Sequence, residues 1–98
     1  MTPVRISITH GSGSVYHVGL DAPDGTSTSH QVTVWPSDVQ RYAPDATPEA
    51  LLEASFAFLL EREPKESILA RFELPVIERY FPDYPMAVRA LLETSDGR

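Results

Sequence analysis

His10, His17 and His30 are the residues best suited to chemistry in this chain, because a neutral imidazole binds metals readily and titrates near neutral pH. Their placement argues against a shared site. Pro23-Asp24-Gly25 has the chemistry of a three-residue hairpin loop, which sets Ala22 against Thr26, Leu20 against Thr28, Val18 against His30 and Tyr16 against Val32. In that register His17 and His30 fall on opposite faces, and His10 lies in a loop beyond the far end. No two of them converge on a metal. Ser12 and Ser14 stand near His10, but Gly11-Ser12-Gly13-Ser14 is neither a nucleophile elbow nor a phosphate cradle, and a loop accounts for it. The carboxylates Glu61, Glu63, Glu66, Glu73 and Glu78 alternate with Arg62, Lys65, Arg71 and Arg79 around helix ends. Catalytic carboxylates need an apolar cleft that splits their pKa values, whereas this pattern predicts surface ion pairs. The residues therefore assign no catalytic group, no metal and no cofactor.

What remains is a binding chemistry. In Arg79-Tyr80-Phe81-Pro82-Asp83-Tyr84-Pro85, aromatics and an arginine crowd between prolines. Tyrosine and arginine dominate interface hot spots because each combines apolar area with a polar tip. Phe81 is expected to plug the core. Trp35 falls on the polar face of the predicted sheet, where either a helix covers it or it is an exposed anchor. Trp35, Arg79, Tyr80 and Tyr84 form the candidate interaction surface.

These residues are carried by elements that the pattern outlines. Val4, Ile6 and Ile8 alternate with polar residues as a strand with one buried face does. The hairpin supplies two more strands, with Tyr16, Val18, Leu20, His30, Val32 and Val34 toward the core and Val15, His17, Gly19, Asp21, Ser29, Gln31, Thr33 and Trp35 away from it. Pro36 ends the third strand, and Ser37-Asp38-Val39-Gln40 has capping-box spacing for a short helical turn to Tyr42. Thr47-Pro48-Glu49 opens the core helix, Pro48 to Arg62, with Leu51, Leu52, Ser55, Phe56, Phe58 and Leu59 on one side. Pro64 is expected to open a second helix holding Ile68, Leu69 and Phe72. Pro75 opens a third with Val76, Ile77, Tyr80 and Phe81, and Met86 to Leu92 a last one. The expected fold is α+β: a three-stranded antiparallel β-meander (1–36), then a helical half (37–93) with a core helix and two or three short helices, and a frayed tail (94–98), all in one domain.

Composition limits the partners. With 98 residues, 42% of them hydrophobic and none cysteine, the chain supports a packed core without disulfides or thiolate sites. Fourteen acidic residues against eight basic ones give a net charge of −6, the wrong sign for neutralising phosphates, so nucleic acid is not the expected partner. Met1 to His10 lacks the features of a signal peptide, and the longest apolar run, Phe56 to Leu60, is too short for a membrane span. A cytoplasmic protein without membrane contact is expected. So small a domain also gains readily from pairing with a second copy, and a homodimer is one expectation.

The stretch Ser55 to Leu69, followed by Phe72, Leu74, Ile77, Arg79-Tyr80-Phe81-Pro82 and Tyr84, resembles a family of short uncharacterised bacterial proteins. The similarity covers roughly residues 47 to 84, with a weaker echo in the hairpin. It implies a bacterial origin and a shared fold, and it carries over no functional residue. The function favoured is a non-enzymatic protein-interaction or adaptor domain. Two alternatives stand beside it: a helix-turn-helix-like nucleic-acid-binding regulator, with Phe72-Glu73-Leu74-Pro75 as the turn and Pro75 to Phe81 as the reader, and an enzyme whose site forms only at a dimer interface.

Overall fold

A computed structural model describes residues 4–96, the side chains only to residue 93. Strands β1 (Arg5–His10), β2 (Val15–Asp21) and β3 (Ser27–Thr33) form the expected antiparallel meander. The hairpin register is the one that the turn dictates, with Leu20 opposite Thr28, Val18 opposite His30 and Tyr16 opposite Val32. Gly25 has φ 93°, a conformation that costs a residue with a Cβ atom, while Asp24 Oδ1 accepts from the Thr26 amide at 3.0 Å and the Thr26 hydroxyl at 2.7 Å.

Two helices follow, α1 (Pro36–Tyr42) and α2 (Pro48–Leu60). Helix α1 starts two residues earlier than the Ser37 box implies: Trp35 takes the cap position, and Asp38 accepts from the Trp35 amide at 2.9 Å. Thr47 caps α2 as expected, its hydroxyl accepting from the Ala50 amide at 3.0 Å. Leu51, Leu52, Ala54, Ser55, Phe56, Phe58 and Leu59 are buried along α2. This helix lies between the sheet and a long last helix, α4 (Tyr84–Asp96). Its Phe56 ring sits 5.5 Å from His30 and 6.1 Å from Phe72, which fixes the sheet face that α2 covers.

The main departure falls between Pro64 and Pro75. Instead of a helix the chain makes one 3-10 turn, Lys65–Ser67, and then a fourth strand, β4 (Arg71–Glu73), parallel to β3. The sheet therefore has four strands in the order β1-β2-β3-β4, not three. Ile68, Leu69 and Phe72 have helical spacing, but Arg71-Phe72-Glu73-Leu74 also alternates exposed and buried, as a strand does. The open edge of β3 decides between the two. The Gln31 amide donates to Ala70 at 2.8 Å and the Leu74 amide to Thr33 at 3.0 Å, so backbone groups otherwise left to solvent are paired. The long crossover that a parallel pair requires is supplied by α1 and α2.

Helix α3 (Val76–Tyr80) follows as expected. The Pro82-Asp83-Tyr84-Pro85 sequence does not break the chain before Met86: α4 begins at Tyr84 with Pro85 in its first turn, where a missing amide costs nothing. The backbone of α4 is helical to Asp96, and the rest of the tail, Gly97 and Arg98, lies outside the described residues. Among the described residues no helix is long and apolar enough to cross a membrane.

Candidate functional site

Two cradles hold the segment after α2 in place. Lys65, although charged, is only 7% exposed. Its ammonium donates to the Thr26 hydroxyl at 2.6 Å and to Glu66 at 2.7 Å, tying the 3-10 turn to the hairpin loop. His30 is buried on the core face, and its Nδ1 donates to the Leu69 carbonyl at 2.7 Å. In a neutral ring that leaves Nε2 to accept from the Thr28 hydroxyl at 2.8 Å. The histidine is thus a structural tie, and His17 lies exposed on the other face of the hairpin, in keeping with the register. His10 donates through Nε2 to the Gly13 carbonyl at 2.8 Å and stacks on Tyr16 at 4.5 Å, so its ring closes the loop rather than serving a nearby serine. No group of three potential metal ligands comes together among the described residues.

Anchored this way, the segment walls an apolar groove of about 290 Å³. It is lined by Leu59 of α2 and Glu63 just beyond it, by Ser67, Ile68 and Leu69, by Phe72 of β4, and by Val76, Ile77 and Tyr80 of α3 with Phe81 at its end. Two of the large hydrophobic residues most exposed in the structure stand on its rim: Leu69 at 46% and Tyr80 at 67%. Phe81 is half-buried, and its ring meets Phe58 edge-on at 5.7 Å, consistent with a role in the core. Among the described residues, Glu63 and the Tyr80 phenol are the ionisable side chains of the lining. Glu63 is half-buried, and among the described residues its carboxylate makes no hydrogen bond or ion pair. The neighbouring carboxylates are engaged: Glu61 near Arg62 at 3.7 Å, Glu66 with Lys65, and Glu78 with Arg41 at 3.0 Å.

The residues singled out for an interaction surface separate. Tyr80 belongs to the groove, and Arg79 is exposed beside it on α3. Trp35, 47% exposed, caps α1 and does not line the groove. Tyr84 must be withdrawn from the surface. It is fully buried, its ring 5.0 Å from Tyr42 and 5.5 Å from Phe58, and its hydroxyl lies 2.6 Å from that of Ser55. Ser55 donates onward to the Leu51 carbonyl, so the tyrosine hydroxyl is the donor to Ser55. Burial pushes the Tyr84 phenol above its ordinary pKa. Because α4 starts at Tyr84 rather than at Met86, this residue points into the helix layer instead of lying in a turn. Ile68, Leu69 and Glu63, by contrast, line the groove without a signal in the sequence; an isolated apolar pair after Pro64 reads as helix, whereas the 3-10 turn and the loop before β4 bury Ile68 and expose Leu69.

A second, wider cleft of about 530 Å³ lies between the α1–α2 loop and α4, lined by Asp45, Thr47, Arg89 and Glu93 among others. Arg89 donates to the Arg41 carbonyl at 3.2 Å and the Tyr42 carbonyl at 3.4 Å, where it complements the negative end of α1. The helix-turn-helix spacing is not realised, since the residues of its first helix form the 3-10 turn and β4. Comparison with protein-family models, curated proteins and solved structures gave no match.

Proposed function

We propose that this protein is a non-enzymatic protein-interaction domain that docks an apolar side chain of a partner in the groove between β4 and α3. The observation that carries this reading is an apolar concavity whose rim holds Leu69 and Tyr80, both far more exposed than a core needs. At about 290 Å³ the groove lies at the bottom of the roughly 300–1,000 Å³ range of small-molecule sites, which suits one or two side chains better than a nucleotide or other large cofactor. Aromatic and aliphatic anchors entering such pockets supply most of the energy of many interfaces.

The test places charge on the rim. A phage-displayed decapeptide library panned on the intact chain is expected to enrich peptides carrying a large apolar residue. Leu69→Glu combined with Tyr80→Glu should abolish their capture. Both side chains are exposed, so the thermal midpoint and far-UV circular dichroism should stay close to those of the parent. Undiminished capture by the folded double variant would refute the groove.

A further inference from the structure

The groove opens beside the outer edge of β4, which pairs with no further strand among the described residues. Residues of a strand send their amide and carbonyl alternately to either side. The Ala70 carbonyl and Leu74 amide both point at β3, so Phe72 between them does too. The amides and carbonyls of Arg71 and Glu73 then face outward from the last strand of the sheet. An extended segment laid along them would alternate its own side chains across the sheet. Those facing α2 would enter the groove, which shares Phe72 and Leu59 with that side.

The groove also selects charge. Glu63 is half-buried in an apolar lining and its carboxylate pairs with nothing among the described residues. A carboxylate in the wall of an apolar groove offers a charge-assisted hydrogen bond to a cationic side chain that enters beside it. The chain as a whole carries a net charge of −6, which steers a basic partner toward it. Resting on the groove reading above, we propose that the occupant is an extended peptide added to the β4 edge, with an apolar side chain in the groove and a neighbouring Lys or Arg paired with Glu63.

The decapeptides enriched on the parent chain serve as probes, and the expected motif has Lys or Arg within two positions of the apolar anchor. Glu63→Gln should weaken the best of them roughly tenfold, and replacing the peptide's basic residue by Ala should do the same without adding to the first loss. Since Glu63 has no partner among the described residues, Glu63→Gln should leave thermal stability unchanged. N-methylation along the peptide should abolish binding at every second position, as strand addition requires, and amide-resolved NMR should place the shifts at residues 68 to 81. Apolar peptides without a basic residue, mapping to those amides and indifferent to Glu63→Gln, would overturn this inference while leaving the groove intact. Loss of binding without two-residue periodicity in the N-methyl series would overturn strand addition. Absence of enrichment, or shifts at the Asp45–Arg89 cleft or at a self-association surface, would overturn both readings.

Discussion

The hairpin from Val15 to Thr33 and the segment from Pro64 to Phe81 sit side by side in one sheet, yet they obey different rules. In the hairpin the local chain decides everything: Pro23, Asp24 and Gly25 set the turn, the turn sets the register, and the register sorts Val18 from His17. In the later segment nothing local settles the outcome. Ile68, Leu69 and Phe72 serve a helix equally well, and β3 turns them into a loop and a strand by offering an unpaired edge. The groove belongs to this second region. A surface built from residues whose conformation is imposed by their neighbours can expose Leu69 and Tyr80 without losing the core beneath them.

Removing what joins the two regions should break the contrast most forcefully. Phe56 touches both His30 and Phe72, so Phe56→Ala should cost about 3–5 kcal/mol in urea unfolding. Hydrogen exchange should show protection lost first at 70 to 74 and only later in the hairpin. Equal loss in both regions would mean that β4 is not the weaker partner.

Gly25→Ala probes the hairpin alone. A Cβ there meets no atom within 4 Å, so the cost is the backbone conformation itself, about 1–2 kcal/mol. Because the hairpin is the frame on which the rest assembles, the loss should appear uniformly in exchange rates. A thermal midpoint unchanged from the parent would show that the turn does not govern the register.

The mildest test acts on α3, which lines the groove. The Tyr42 hydroxyl donates to Glu78 of α3 at 2.8 Å. Burial, and then that bond to a carboxylate, push the Tyr42 phenol from 10.0 up to about 12. A raised folded-state pKa means that the unfolded chain gives up its proton first. Full stability therefore holds below pH 10, and the share from Tyr42 is lost as the pH rises through about 12. Tyr42→Phe should flatten this alkaline slope. The buried Tyr84 phenol, raised in the same direction, should keep part of it. An identical slope in parent and variant would remove Tyr42 from the account.

Legibility in the sequence follows the same division. The meander, its register, the separation of His17 from His30, the Thr47 cap and the core face of α2 all follow from contacts within a few residues, where turn chemistry and periodicity act directly. The α+β class follows with them. The fourth strand does not, since a parallel neighbour distant along the chain leaves only the short alternation Arg71-Phe72-Glu73-Leu74 as a trace. Nor do the opposite fates of Tyr80 and Tyr84. Both stand among prolines and look alike as surface aromatics, but starting α4 at Tyr84 buries one against Ser55 and leaves the other on the groove rim. Local chemistry dictated which residues turn, alternate and cap. Which edge β4 completes, and therefore where the groove lies and that Glu63 stands in it without a partner among the described residues, was decided only when distant backbone groups had to find partners in the packed fold.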